Sequence, residues 1–134
     1  MGRQAMERIM IIDSDIRQMR ELNDGLGSNY QILNCSRGEK ALDLFKLYLP
    51  SALVLDPSTP ELNVREFIRR VRSLPFRGEL PILALAQITT LRQIEESFDW
   101  GVDMILSKPC SGEKAKKRLE EYLSRIGAKR LIHA

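Results

Sequence analysis

The sequence predicts an α/β fold in which five parallel strands alternate with five helices. Three short apolar runs, at residues 9–12, 52–55 and 104–107, have the length and composition of strands buried on both faces. Between the runs, apolar residues recur every three or four positions, as in amphipathic helices. This alternation is typical of βα units around a parallel sheet. A chain of 134 residues is long enough for one such domain with a single core.

The first two units can be placed from their apolar periods and helix caps. The first strand, residues 9–12, leads into a helix that Ser14 or Asp15 can cap. The apolar face of that helix is predicted at Ile16, Met19, Leu22 and Leu26. A weaker second strand covers residues 30–33, and Ser36 with Glu39 forms a capping-box pattern at the start of the second helix.

The remaining three units follow the same alternation. The third strand, residues 52–55, is followed by a loop with two prolines and a helix over roughly residues 64–73. The fourth strand is predicted at residues 82–86 and the fifth at 104–106. Between them lies a helix with one apolar face, at Leu91, Ile94 and Phe98. Ser111 is the predicted cap of the last helix. We therefore expect one domain over residues 1–126 and a flexible tail over 127–134.

Five βα units of this size are typical of the flavodoxin-like doubly wound sheet. The strand order of that fold class is 2-1-3-4-5, and we adopt the order from the class rather than from the residues. No window is apolar enough to span a membrane, and the N-terminus lacks the apolar region of a signal peptide. Cys35 and Cys110 have no metal-binding spacing and are expected to be free thiols in a reducing cytoplasm.

The formal charge of +3 is concentrated near the C-terminus. From Gly112 onward there are seven Lys or Arg residues and three Glu residues. A basic helix can contact nucleic acid or an acidic protein, but aromatic residues do not interleave with these charges as a base-stacking surface requires. A solvated helix face is the favoured interpretation, and nucleic acid is not the expected partner.

Three charged residues mark the candidate functional site. Asp13, Asp56 and Lys108 each stand at the C-terminal end of an apolar run. In open α/β sheets the ligand crevice lies outside the carboxyl ends of the strands, so these side chains are expected to meet. A carboxylate beside Mg²⁺ can act as a nucleophile toward a phosphoryl group, and a lysine can balance the charge of the new phosphate. The Lys108–Pro109 bond is a candidate for the cis form.

With these residues in place, the chain resembles the receiver domain of two-component response regulators. The family places its phosphoacceptor aspartate four residues before a proline, which matches Asp56 and Pro60. Its last strand ends in Lys-Pro, which matches Lys108 and Pro109, and its first strand ends in an acidic pair, which corresponds to Asp13 and Ser14 here. The three motifs occur in the family's order over roughly the first 126 residues.

The resemblance implies a signalling role for these residues. Asp56 would accept a phosphoryl group from a histidine kinase or a phosphotransfer protein. The side chains of Asp13 and Asp56 and the backbone carbonyl of Ser58 would hold Mg²⁺, and Lys108 would pair with the phosphoryl group. Signalling would then proceed through protein–protein contacts, and the chain would be a stand-alone regulator or a fragment of a larger one.

The chain departs from the family at the site itself. Ser14 replaces the second acid of the pair at the first strand, so Mg²⁺ binding is expected to be weak. Ala86 replaces the switch hydroxyl at the end of the fourth strand, and Ile105 replaces the switch aromatic of the fifth. The family's usual relay from phosphate to surface therefore lacks two of its parts.

Two alternatives to a phosphorylated receiver remain open. The first is a pseudo-receiver that docks or dimerises without phosphorylation, through the face formed by the fourth helix, the fifth strand and the fifth helix. Three acids, Glu95, Glu96 and Asp99, precede the basic last helix in this region and could support symmetric pairing. The second alternative, a small Mg²⁺-dependent phosphatase or phosphotransferase, needs a further acid or base near Asp56. Only Asp15 and His133 are available for that role, so we expect that the chain is not an enzyme.

Overall fold

The architecture is that of a five-stranded parallel sheet covered by helices on both faces. It was analysed in a computed structural model, which describes residues 7–75, 77–88 and 90–133, and for residues 127–133 the backbone alone. The strands are β1 Arg8–Ile12, β2 Gln31–Cys35, β3 Ala52–Leu55, β4 Ile82–Ala86 and β5 Met104–Ser107. The helices are α1 Ile16–Leu26, α2 Ala41–Tyr48, α3 Val64–Ser73, α4 Leu91–Asp99 and α5 Gly112–His133.

The strand order is β2-β1-β3-β4-β5, and every pairing is parallel. The predicted fold class and strand order are therefore confirmed. The boundaries of β3, β4 and α3 coincide with the predicted ranges, because each of these segments has a clear apolar pattern and clear breaker residues at both ends.

Two apolar clusters, one on each face of the sheet, form the core. Met10 and Ile12 of β1 pack with Phe45 of α2 and Phe67 of α3 on one face. The second cluster lies on the other face. It contains Ile9 and Ile11 of β1 together with Leu22 and Leu26 of α1 and Ala115 and Leu119 of α5. The central strands are thus buried on both faces, which explains why their sequences are unbroken apolar runs.

Helices α1 and α5 cross at a pair of glycines. A Cβ atom added to Gly25 would overlap the backbone of Gly112, and a Cβ on Gly112 would overlap the carbonyl oxygen of Glu21. The two helices therefore approach more closely than side chains would permit. This crossing fixes the start of α5, and with it the short loop that follows β5.

Three local predictions are wrong. Ser36 and Glu39 do not form a capping box, because Gly38–Lys40 make a 3₁₀ turn and α2 begins only at Ala41. The turn is held by the Gly38 N–H, which donates to the carbonyl of Pro60 at 2.8 Å. The predicted apolar faces of α1 and α4 are also incomplete. Ile16, Leu91 and Phe98 are 66%, 70% and 49% exposed.

The last helix is longer than predicted. Its backbone is helical through residues 127–133, which the sequence analysis placed in a tail. The domain boundary at residue 126 and the mobility of that segment stay predictions.

Candidate functional site

The three charged residues at the strand ends meet in one ion-pair cluster. The Lys108 ammonium lies 2.5 Å from Asp56 Oδ2 and 2.8 Å from Asp13 Oδ2. It also lies 3.0 Å from Asp13 Oδ1. The side chains of Lys108, Asp13 and Asp56 are only 8%, 3% and 10% exposed. The predicted convergence of these residues is therefore found in the structure.

Strand geometry places all three residues at the same edge. The N–H of Asp13 donates to Cys35 O at 3.0 Å and the N–H of Asp56 to Ile12 O at 2.8 Å. The N–H of Lys108 donates to Ala86 O at 2.9 Å. Each residue thus continues the hydrogen-bond ladder just beyond its strand. Because neighbouring strands are parallel, the side chains emerge together at the carboxyl edge.

Burial and ion pairing shift the pKa values of the cluster in opposite directions. Burial raises the pKa of Asp13, and hydrogen bonds from Lys108 and from the Asp15 N–H offset only part of this effect. Burial alone would lower the pKa of Lys108. The hydrogen bonds and charges of Asp13 and Asp56 outweigh that effect, so its pKa is raised and the ammonium stays charged at neutral pH.

Asp15 has a structural role beside the cluster. Its Oδ1 accepts hydrogen bonds from Arg17 N at 3.1 Å and Gln18 N at 3.3 Å, which makes Asp15, and not Ser14, the cap of α1. Its Oδ2 is 4.0 Å from the Lys108 ammonium, at the limit of an ion pair. Ser14 itself is exposed. The position next to Asp13 therefore supplies no second carboxylate ligand.

Ser58 contributes contacts that the sequence analysis did not find. Its backbone N–H and its hydroxyl both donate to Asp56 Oδ1, each at 2.7 Å. The next residue, Thr59, donates from its hydroxyl to Asp56 O at 2.8 Å. The loop after β3 thus holds one carboxylate oxygen of Asp56, while Lys108 holds the other. A serine two residues after an aspartate is too common in loops to have indicated this pair of bonds.

The cluster opens into a cavity of about 520 Å³. Its far wall is formed by Ala86 and by residues of α4 and its end, Gln93, Glu96, Ser97 and Trp100. Ala86 presents only a methyl group there, so this wall has no hydroxyl at the predicted switch position. Ile105 is partly buried and packs against the core cluster of α2 and α3. Trp100 was not singled out from the sequence, because one tryptophan near a helix end is usually a core residue.

The chemistry of the cluster fits a small divalent cation. One ammonium already touches both carboxylates, so both can also reach a single cation at that point. Among the described residues there is no group of three or more Asp, Glu, His or Cys side chains that could hold a metal. The available donors are thus two carboxylates, backbone carbonyls and water, a set that suits Mg²⁺.

Two further observations concern the backbone. The Lys108–Pro109 peptide bond is cis, as the sequence suggested. In the part of the chain that the structure describes, no helix combines the length and apolar character needed to cross a membrane.

Comparison with known protein families gives a direct match. The family model of the response regulator receiver domain matches residues 9–120. Two curated relatives are the response regulators MprA of Mycolicibacterium vanbaalenii and of Mycobacterium avium strain 104. Each is 33% identical over 119 residues, which is 88% of this chain and 51% of the relative. The chain therefore spans about half the length of the curated relatives that it matches.

Solved structures agree with this match. A putative response regulator from Chloroflexus aurantiacus superposes with a TM-score of 0.80 at 27% identity, covering 90% of this chain and 99% of that one. The chemotaxis protein CheY4 of Vibrio cholerae gives a TM-score of 0.77 at 24% identity, with 87% and 98% coverage, and supports the fold alone.

Proposed function

Because the chain belongs to the response regulator receiver family of two-component signalling, we propose that Asp56 is its phosphoacceptor. Phosphorylation of an aspartate is the general property of this family. The observation that carries the residue assignment is the contact of one buried ammonium, that of Lys108, with both Asp13 and Asp56. In this cluster Asp56 also has its second oxygen held by Ser58, so its orientation is fixed from two sides.

The proposed reaction is a phosphoryl transfer to a carboxylate. An oxygen of Asp56 attacks the phosphorus of a phosphohistidine, the P–N bond breaks, and its electron pair leaves with the histidine. A new P–O bond forms an aspartyl phosphate. Lys108 then pairs with the phosphoryl oxygens as a point positive charge. Response regulators of this family interact with histidine kinases or phosphotransfer proteins, which are the proposed donors here and imply a cytoplasmic location.

Mg²⁺ is the proposed cofactor, and it would supply charge neutralisation for the incoming phosphoryl group. The side chains of Asp13 and Asp56 and the backbone carbonyl of Ser58 would hold it. Two features argue for weak binding. Ser14 provides no second carboxylate, and the Lys108 ammonium occupies the oxygens that the metal needs.

The test is phosphorylation by a small phosphodonor. The protein is incubated with acetyl phosphate and Mg²⁺, and its intact mass is measured beside a competent receiver. We expect the wild type to gain the mass of one phosphoryl group and the Asp56→Asn variant to gain none. The matched Asp24→Asn variant, at an exposed position on α1, should gain it as the wild type does. No gain by the wild type would reject the proposal in favour of a pseudo-receiver. A gain by Asp56→Asn would show that the acceptor is a different residue.

A second proposal concerns pairing of two copies, without phosphorylation, through the face of α4, β5 and α5. Leu91 and Phe98 on α4 are 70% and 49% exposed, α4 also carries the acids Glu95, Glu96 and Asp99, and basic residues are concentrated on α5. Exposed apolar side chains, together with opposite charges on two helices of one face, suit a self-complementary dimer contact. Sedimentation tests this proposal by comparing the oligomeric state of the wild type, expected to be a dimer, with that of Leu91→Glu, expected to be a monomer. A monomeric wild type at high concentration would contradict it.

A further inference from the structure

A buried glutamine outside the ion-pair cluster holds the backbone next to Lys108. Gln18, on the first turn of α1, is only 4% exposed. Its Nε2 donates to Cys110 O at 2.7 Å, and its Oε1 accepts from Cys110 N at 2.9 Å. One carboxamide therefore satisfies both backbone polar groups of Cys110, a residue that is itself 3% exposed. Buried backbone groups without such a partner are costly, so this arrangement strongly restrains the loop.

The bonds of Gln18 complete a connection between the two sides of the cluster. The N–H of Gln18 contacts the carboxylate of Asp15 at 3.3 Å, and the N–H of Asp15 donates to Asp13 Oδ1 at 2.9 Å. On the other side, Cys110 lies only two residues after Lys108. The first turn of α1 is thus bonded both to the acid at the end of β1 and to the loop that carries the lysine.

A long lysine side chain requires such a restraint. Ordering its rotamers costs conformational entropy, and its ammonium must meet two carboxylates at once. The glycine crossing of α1 and α5 fixes the loop's far end at Gly112. Gln18 restrains the loop at Cys110, between that crossing and Lys108.

We propose that Gln18 is a positioning residue that holds the Lys108 loop so that the ammonium contacts Asp13 and Asp56. The inference rests on the proposed function, since the lysine it positions is the proposed partner of the phosphoryl group. The hydrogen bonds of the Gln18 side chain go to the backbone of Cys110, so its proposed action is through the loop.

The first test measures the position of the lysine without any phosphorylation. In Gln18→Met the side chain keeps a similar length but loses both hydrogen bonds. Acetylation of Lys108 by a soluble N-hydroxysuccinimide ester is followed by mass spectrometry of peptides, with the exposed Lys114 as internal reference. We expect Lys108 to react about fivefold faster in Gln18→Met, as the loss of about 1 kcal/mol would give. The control Phe45→Leu destabilises the opposite core cluster and should leave the ratio unchanged.

The second test asks whether Gln18 acts through Lys108. Phosphorylation rates with acetyl phosphate are measured for Gln18→Met in the wild-type and Lys108→Met backgrounds. A positioning role predicts about fivefold slowing in the first background and no further slowing in the second. Phe45→Leu should change the phosphorylation rate by the same factor in both backgrounds.

Each outcome decides the proposal. Equal slowing by Gln18→Met in both backgrounds, or an unchanged acetylation ratio, would overturn it. If Gln18→Met does not fold, Gln18→Glu, which keeps the acceptor and loses the donor when ionised, is judged by the same two criteria. If no protein in the series gains phosphate, the proposed function fails, and the acetylation ratio still decides the role of Gln18.

Discussion

The two sides of the candidate site differ in how complete they are. On the side of β1, β3 and the loop after β5, Asp13, Asp56 and Lys108 form a buried ion-pair cluster. On the side of β4 and β5, Ala86 has no hydroxyl, and Ile105 has no aromatic ring. The first side, which we call the receiving side, contains the groups that we propose accept a phosphoryl group. The second, the transmitting side, lacks the hydroxyl and the aromatic ring that the resemblance to the family led us to expect there. We propose that accepting the signal and transmitting it are separable in this chain, because different strands carry the two sets of residues.

The largest expected effect comes from the lysine of the receiving side. In Lys108→Met we expect phosphorylation by acetyl phosphate to slow about 100-fold, because a charge-assisted hydrogen bond contributes up to about 3 kcal/mol. The affinity for Mg²⁺ should rise in the same variant, because the ammonium no longer competes for the carboxylates. Stopped-flow phosphorylation and a Mg²⁺ titration measure the two effects. If Lys108→Met lost both phosphorylation and Mg²⁺ binding, the variant would instead have disrupted the site.

Restoring the missing acid should sharpen the receiving side. We expect Ser14→Asp to bind Mg²⁺ about tenfold more tightly, since ligand charge tunes the affinity of such sites. The matched control is Ser28→Asp, which adds the same charge at an exposed position beyond the other end of α1. Isothermal titration of the three proteins with Mg²⁺ provides the comparison. Equal gains by both variants would mean that overall charge, and not a ligand at position 14, sets the affinity.

A smaller effect is expected from a hydroxyl on the transmitting side. Threonine and valine have nearly the same shape, so Ala86→Thr and Ala86→Val differ mainly in the hydroxyl. We expect the threonine variant to bind the phosphoryl mimic beryllofluoride about fivefold more tightly than the valine variant, as one hydrogen bond of about 1 kcal/mol would give. Competition with phosphorylation measures the affinity. Indistinguishable variants would show that position 86 does not reach the phosphoryl group.

The smallest effect near neutral pH concerns stability. A raised pKa of Lys108 means that the folded state holds its proton more tightly than the unfolded state. Its contribution to the free energy of unfolding is therefore complete below the ordinary lysine pKa of about 10.4 and is lost as the pH rises through the raised value. Urea denaturation from pH 7 to pH 11 should show this alkaline loss in the wild type and a smaller loss in Lys108→Met. Equal losses in both proteins would argue against the pairing.

The sequence predicted the fold well and the site in part. Buried parallel strands such as β3 and β4 carry continuous apolar runs, and strand ends place Asp13, Asp56 and Lys108 at one edge by geometry alone. The exposure of Leu91 and Phe98 was not predictable, because a period of three or four marks an apolar face without showing whether anything covers it. The bonds of Ser58 and Gln18 depend on loop conformations, and no local pattern reports them.

The most direct test of the account compares hydrogen exchange on the two sides of the site. Amide exchange is measured by mass spectrometry with and without Mg²⁺ and beryllofluoride. We expect added protection in the segments around Asp13 and Asp56, and unchanged exchange in α4. The Ala86→Thr variant should extend the protection into α4. Protection that already reaches α4 in the wild type to the same degree would contradict the separation of the receiving side from the transmitting side.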